Sequence, residues 1–415
     1  MARTIDCLII GAGQAGLAMS HCLTTHGIEH VVLERGRIGE RWRSERWPSL
    51  RLLTPGWMTR MPGGALATKQ DGFLKSSDLV DRLETYATVH GVPVEHGTEV
   101  IAVEPAGDRY SVVTSSGTWI VRALVVATGA CDRPRVPSWR LGLDHRIHCI
   151  APSQYRDMDQ LPDGGVLVVG GSATGVQLAR EAADAGRRTI LACGRHVRTP
   201  RRYRGRDLFE WLDLVGFLNE HRPHDRPHHE LMAQPSLQLV GGASNEDIDL
   251  AKLADAGVIL TGRALSASGT TIRFADNLAS ECAAAERRRQ TMLERIDAAI
   301  AQWSLDVEPD LAVWELPATL PQAPTQIDLV KEGISTVIWA TGYRRSYPWL
   351  HLNVFDDHGE IDQQDGIARL PGLFVLGLPF MRHRASSFID GVGRDAEALT
   401  QTIVSHLGAQ QLRAA

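Results

Sequence analysis

The stretch Ile5-Asp6-Cys7-Leu8-Ile9-Ile10-Gly11-Ala12-Gly13-Gln14-Ala15-Gly16-Leu17-Ala18 constrains the fold of this 415-residue chain more than any other. A short apolar run ends in Gly-x-Gly-x-x-Gly and passes at once into a helical pattern. The run reads as a buried strand, and the glycines as a tight turn into a helix. In such a turn Gly11 permits the bend, Gly13 lets a diphosphate approach the backbone, and Gly16 lets helix and strand pack closely. The helix start, at Gln14 and Ala15, offers free N–H groups and a positive dipole end to that diphosphate. Gly27 stops the helix, and His30-Val31-Val32-Leu33-Glu34 reads as the next strand.

Glu34, followed by Arg35, closes that strand. An acid there accepts hydrogen bonds from both hydroxyls of an adenosine ribose and repels a 2′-phosphate, which suits FAD or NAD and argues against NADP. The alternative is a glycine-rich turn of some other α/β protein, and the full series of strand, glycines, helix, strand and acid weighs against it.

The length allows two or three domains with a large core. Hydrophobic residues at 43% and charged residues at 22% are ordinary for a soluble globular chain. A net charge of −5 gives no bulk affinity for nucleic acid or an anionic membrane. No stretch is long enough to span a bilayer, and the N-terminus shows no secretory pattern. Six scattered cysteines, none in Cys-x-x-Cys, lack the spacing of a disulfide framework, a zinc ribbon or a dithiol redox pair. No metal site is expected, and the expected location is cytoplasmic.

Gly39 to Pro55 is rich in Arg and Trp and broken by Pro. It reads as a loop over a cofactor, with Arg41 for a diphosphate and Trp42 for a flat ring; a salt-bridged surface loop is the alternative. Ser76 and Ser77 precede a helical pattern with a serine cap. Strands are expected at Glu99–Val103, with Val100 near an adenine, and at Tyr110–Thr114 and Trp119–Ala127. Ala127-Thr128-Gly129 ends the last of these, and Gly129 again permits close backbone approach.

A second nucleotide unit follows. Gly165–Val169 reads as a strand, Gly170-Gly171-Ser172-Ala173-Thr174-Gly175 as its turn, and Val176–Ala185 as its helix. Ser172 replaces the middle glycine, and its hydroxyl can donate to a diphosphate. Arg195 takes the place that Glu34 holds in the first unit, and a cation there suits the 2′-phosphate of NADPH. Of Arg198, Arg201, Arg202, Arg204 and Arg206, one or two are expected to join it, Arg202 among them.

Glu220–Glu230, with four histidines, reads as a solvated Pro-rich loop. Leu278–Trp303 reads as a long helix with Met292, Ile296, Ala299, Ile300 and Trp303 on one face, covering a substrate site, forming a homodimer contact or packing on the body. Leu316–Pro324 reads as a linker. Ala340-Thr341-Gly342 echoes Ala127–Gly129 and suggests a domain inserted between two halves of the first. A last strand ends at Gly377, and Gly391 and Val392 open the terminal helix, whose N-terminus faces a flavin pyrimidine in this reading.

These motifs together resemble the flavin-containing monooxygenase superfamily along nearly the whole chain, with indole-pyruvate monooxygenases and CzcO-like flavoproteins nearest. The resemblance implies an α/β fold of two Rossmann-type domains, with an NADPH domain (159–330, including the helix 278–303) inserted into a discontinuous FAD domain (1–158 and 331–415). It also implies hydride transfer from NADPH to FAD. Reaction with O2 to a C4a-(hydro)peroxyflavin then follows, which oxygenates a small-molecule substrate. One departure stands out. The superfamily fingerprint Phe-x-Gly-x-x-x-His-x-x-x-Tyr/Trp meets Tyr155 here with Ala151, not His, four residues before it, and His148 lies at the wrong spacing. Alternatives are an FAD-dependent NAD(P)H oxidoreductase serving another acceptor, and a flavin-bound redox sensor. Trp57, Met58, Phe73, Phe380 and Met381 are the pocket candidates.

Overall fold

The structure is a computed structural model and describes all residues except 1, 65–71, 224, 233, 243–245, 312, 314–321 and 415, and the side chains from 411 onwards. In chain order the principal strands are β1 (Arg3–Ile10), β2 (His30–Leu33), β3 (Val94–Glu95), β4 (Val100–Ala106), β5 (Arg109–Thr114), β6 (Gly117–Val126), β7 (His148–Ile150), β8 (Gly165–Val169), β9 (Thr189–Ala192), β10 (Ile259–Thr261), β11 (Ile334–Trp339), β12 (Gln363–Gln364), β13 (Ile367–Ala368) and β14 (Leu373–Val375). The helices are α1 (Gln14–Thr25), α2 (Glu40–Ser44), α3 (Ser76–Val89), α4 (Ala173–Asp184), α5 (Leu208–Leu214), α6 (His228–Met232), α7 (Leu250–Asp255), α8 (Leu278–Gln302) and α9 (Ile389–Ala414).

Two sheets carry the molecule. The first has nine strands in the order β12-β13-β14-β6-β1-β2-β3, with β5 on β6 and β4 on β5. Its centre, from β14 to β3, is parallel. The second has five strands, all parallel, in the order β10-β9-β8-β11-β7. Parallel strands are covered on both faces, which is why β2, β8 and β9 are buried at every residue and largely apolar, with His30 and Thr189 as the polar exceptions. Cys7 and Ile9 of β1 pack with α1, α3 and α9, whereas Leu8 and Ile10 pack on the opposite face with Tyr110, Val112 and Tyr347. In contrast β5 alternates between exposed or half-buried and buried residues, as an antiparallel strand with one solvated face does.

Strands of the second sheet all fall between β6 and β14 of the first, so one Rossmann-type unit is inserted into another. By pairing, the inserted sheet reaches from His148 to Trp339, beyond the expected 159–330 at both ends, because β7 and β8 both bond to β11. The second Ala-Thr-Gly therefore belongs to the inserted unit and not to a returning half of the first. It ends β11, which lies beside β8 as β6 lies beside β1. Two segments cross between the units as a short antiparallel ribbon, with Tyr343 opposite Pro134 and Arg344 opposite Arg133.

A helical layer made by α5, α8 and the turn Gly56–Thr59 forms a further apolar cluster, including Met58, Phe209, Trp211, Leu293, Ile296 and Ile300. The inward face of α8 runs through Ala285, Arg289, Leu293, Ile296 and Ile300; Trp303, expected on that face, is 44% exposed. The first turn of α3 is closed by Asp78, which accepts from the Lys75 N–H at 3.0 Å, and not by a serine. His224 and most of Leu316–Pro324 lie outside the described residues.

One buried ion pair ties the helical layer to the body. Arg201 is fully buried, bonds Asp207 Oδ2 through Nε at 2.8 Å and Leu53 O through Nη1 at 2.7 Å, and lies 4.4 Å from the Phe73 ring. Asp207 Oδ1 also accepts from Phe209 N at 2.8 Å, which caps α5. Removing one partner strands a buried charge, so Asp207→Ala is expected to lower stability by about 3–5 kcal/mol in urea unfolding. A loss below about 1 kcal/mol would mean that water replaces the pair.

Candidate functional site

The carboxyl ends of β1, β2, β6 and β14 meet at the start of α1. Gly11 has φ +107°, and a Cβ there would lie 2.8 Å from Ala127 O, so only glycine lets β1 turn beside the end of β6. A Cβ on Gly16 would overlap Gly11 O, so the helix lies directly on the turn. A Cβ on Gly13 or on Gly129 would meet nothing within 4 Å. Gly377, at the end of β14, abuts Ala15 in the first turn of α1.

Among the described residues, the α-helices other than α1 and α4 start with a capping side chain or with an acid in the first turn, such as Glu40 in α2 and Glu281 in α8. Asp207 caps α5, Asp249 caps α7 by accepting from Lys252 N, and Asp157 accepts from Gln160 N at the short 3-10 turn Met158–Gln160. The start of α1 differs: Gly13 is its N-cap, no side chain caps it, and its first turn holds no acid. A helix end carries roughly half a positive charge and free N–H groups, so an open end beside a glycine turn is suited to an anion.

Glu34 reaches this turn. Its carboxylate accepts from Ala12 N at 2.9 Å through Oε2 and from Gly36 N at 2.9 Å through Oε1. Thr98 N bonds Glu34 O at 2.9 Å, which brings the start of β4, and Val100, alongside the end of β2. Arg35 is exposed. Arg41, expected at the diphosphate, has its guanidinium engaged by Asp132, Glu45 and Cys131 O. Trp42 leans on the first core cluster. On the far side, Gly391 packs on the Ala385 backbone, and Val392 is buried beside it. The first turn of α9 holds an acid, Asp390, paired with Arg60 at 2.7 Å, so an ion pair occupies the end expected to present bare positive charge.

The second unit repeats the design. Gly170 has φ +123° and would clash with Ala340 O if it carried a Cβ, and Gly175 lies against Gly170 O. Ser172 is the N-cap of α4 in extended conformation, yet its hydroxyl caps nothing, and the first turn, with Ala173 and Thr174, holds no acid. Gly342 has φ +86° with open space before its Cβ position, whereas the Thr341 hydroxyl donates to Arg135 O in the crossing ribbon.

Of the arginines after β9, Arg195 is exposed in the loop that follows the strand. Arg198 bonds Asp249 and Glu286, Arg201 is the buried partner of Asp207, and Arg204 pairs with Asp297. Arg202 is exposed and donates to Gly205 O in its own hairpin. Distant segments bring the cations that sequence order hides: Arg263 lies beside Gly194, and Arg288 of α8 donates to His196 O at 2.8 Å.

The histidine loop is not free in solvent. Its backbone runs antiparallel to the segment before α9, with Ala385 N on Leu218 O, Arg384 N on Glu220 O and Arg222 N on Arg382 O. Glu220 takes Arg295 and Arg384 together. His228, held neutral by burial, donates through Nε2 to Pro379 O at 2.9 Å. The pocket candidates also separate: Trp57 and Met58 join the helical cluster, Met381 the second face of the first sheet, and Phe73 the Arg201 site. In the fingerprint stretch Ala151 is buried, with its N–H on Gln154 Oε1 at 2.9 Å, and His145 and His148 are exposed.

Among the described residues no cluster could hold a metal, and no helix is long and apolar enough to cross a membrane. All six cysteines are free. Burial raises Cys22 to about 12 and Cys282 to about 11, far from thiolate chemistry. Residues 8–206 match the family model for the pyridine nucleotide-disulphide oxidoreductases. A flavin-containing monooxygenase from Stenotrophomonas maltophilia superposes with a TM-score of 0.67 at 18% identity, over 97% of this chain and 99% of its own. OTEMO in complex with FAD and NADP superposes with a TM-score of 0.54 at 16% identity, over 98% of this chain and 86% of its own. A CzcO-like oxidoreductase from Geobacillus kaustophilus is 30% identical over 98% of this chain and its own entire length. The chain thus belongs to the CzcO-like oxidoreductases.

Proposed function

We propose that this protein is an NADPH- and O2-dependent FAD monooxygenase acting on a small organic substrate. The observation that carries the proposal is the pair of glycine turns at the open starts of α1 and α4, each at the carboxyl end of an interior strand of its sheet. The two turns fit two dinucleotides, because each leaves a helix start with neither cap nor acid.

In this reading the α1 turn (Gly11, Gly13, Gln14, Ala15 and Gly16) binds the diphosphate of FAD. Glu34, Arg35 and Val100 flank its adenosine. Ala127, Thr128, Gly129 and Gly377 line its path, and Gly391 and Val392 close the flavin end. Arg41 and Trp42 hold the covering loop in place. The α4 turn (Gly170, Ser172, Ala173, Thr174 and Gly175) binds the diphosphate of NADPH, with Thr341 and Gly342 beside it. Arg195 reads the 2′-phosphate, with Arg263 and Arg288 near it and Arg202 at the rim. FAD, when bound, supplies the electron and O2 chemistry, and NADPH the hydride. The chain's own work is to orient the two cofactors and to keep water away. The apolar cluster of α5, α8 and Phe388 forms the wall toward which a small apolar substrate packs.

The buried Ala151 in place of the fingerprint histidine favours a second reading, an FAD-dependent NAD(P)H oxidoreductase that serves another acceptor. Purified protein is expected to be yellow, to release FAD rather than FMN on denaturation, and to bleach with NADPH without O2. Admitting labelled O2 with a panel of small thioethers, amines and ketones should place the label in a product. Complete recovery of the electrons as H2O2 with every substrate would select the second reading.

Arg195→Ala is expected to weaken NADPH binding roughly ten- to a hundredfold, since charged hydrogen bonds contribute about 1.5–3 kcal/mol. NADH has no 2′-phosphate, so its use should be unchanged, and FAD content should stay normal. Compensation by Arg198 is not expected, because Asp249 and Glu286 hold it. Steady-state flavin reduction with both nucleotides checks this. An equal loss for NADPH and NADH would remove Arg195 from the 2′-phosphate site.

A further inference from the structure

Loop 45–52, which leaves α2 in the first unit, does not stay there. Trp47 is 4% exposed and is part of the core that packs α4 and α7 on the second sheet, with Val166, Val168 and Ala179. The helix α2 that leads into this loop starts at the first nucleotide turn, where its N-cap Gly39 donates through N to Ala12 O at 3.0 Å. One peptide segment thus runs from the α1 turn into the core behind α4.

Three side chains hold the Trp47 plug. The Tyr155 ring is fully buried and meets the Trp47 ring edge-on, with centroids 6.1 Å apart. The Tyr155 hydroxyl donates to Glu181 Oε1 at 2.6 Å, and the Ser49 hydroxyl donates to Glu181 Oε2 at 2.9 Å. Glu181 lies on α4, so its carboxylate joins the second nucleotide helix to the loop from the first unit. Arg156, next to Tyr155, donates to the carbonyls of Ser44, the last residue of α2, and of Arg46 in the loop. Burial, and then Glu181 itself, push the Tyr155 phenol well above its ordinary value, so it remains the donor.

We infer that Trp47 against Tyr155 and Ser49 on Glu181, with Tyr155 bracing the Glu181 carboxylate, form a latch that sets the position of the second nucleotide unit against the first, and that Glu181 and Tyr155 are positioning residues for hydride transfer. The inference rests on the two-cofactor reading above. A hydride passes only between a donor and an acceptor held in near-contact, and a displacement of about 1 Å can slow such a step a hundredfold. The ribbon at Pro134 and Tyr343 and the pairing of residues 218–222 with 382–385 tie the units away from α4. The Trp47 plug and the Glu181 carboxylate supply an attachment at the second nucleotide helix itself.

The test compares Tyr155→Phe, which keeps the ring against Trp47, with Glu181→Leu, Glu181→Gln and the double variant Tyr155→Phe/Glu181→Leu. Anaerobic rapid mixing at saturating NADPH should show flavin reduction slowed roughly ten- to a hundredfold in Tyr155→Phe and Glu181→Leu. NADPH affinity, FAD content and reduction by dithionite should be unchanged. Glu181→Gln keeps an acceptor for Tyr155 and should recover most of the rate. The double variant should be no slower than the slower single variant, because either change opens the same latch. Amide hydrogen exchange of residues 44–50 should accelerate in both single variants even in FAD-free protein, a readout that needs no turnover. Unchanged exchange, or a slower reduction explained by lost FAD or weaker NADPH binding, would overturn the latch. Wild-type protein that NADPH fails to reduce would instead refute the two-cofactor reading, while the exchange experiment would still decide whether the latch exists.

Discussion

Among the described residues, α1 and α4 are the two α-helices that begin with neither a capping side chain nor an acid in the first turn. A helix start holds about four N–H groups with no partner inside the helix, and a buried one without a cap is costly. The chain has the residues to solve this, because Asp207, Asp249 and Asp157 do so elsewhere. At α1 and α4 it places a glycine and an unused serine instead. Much of the architecture serves these two ends. The parallel sheets bring strand ends together beside them, the positive φ of Gly11 and Gly170 bends the chain under them, and Gly16 and Gly175 seat each helix on its turn.

What was legible in the sequence is what local pattern encodes. The glycine turns, the buried β1 and β8 and the acid at the end of β2 all depend on residues close together in the chain, and they stand where the pattern places them. Pairings between distant segments were not legible. Nothing near Arg41 announces Asp132, and nothing near Arg198 announces Glu286. A run of arginines looks alike whether it faces a phosphate or a set of buried carboxylates, and here the carboxylates hold most of it. The second Ala-Thr-Gly was misplaced for a related reason: the motif marks the end of a strand beside a nucleotide turn, but not which of two sheets that strand joins.

The same limit explains the histidine loop and the Trp47 plug. Proline, histidine and charge in Glu220–Glu230 read as solvated, yet the backbone finds partners in the segment before α9, and Glu220 gathers two arginines from elsewhere. Trp47 sits in a loop whose composition suggests a cover, and its ring lies in the core of the other unit. Both features join the inserted unit to the first. They add to the ribbon the contacts that decide how two nucleotide helices on separate sheets face one another.

Gly13 offers the most direct measurement of whether the open α1 turn is a cofactor site. Apart from its chain neighbours, no protein atom lies within 4 Å of the place its Cβ would occupy, so Gly13→Val should leave the cofactor-free chain folded, with its thermal midpoint lowered only by the poorer helix cap. FAD titrated calorimetrically into the cofactor-free variant should then fail to bind, while NADP+ still binds once per chain at the α4 turn. FAD binding to Gly13→Val as tightly as to the wild-type chain would contradict the assignment of that turn.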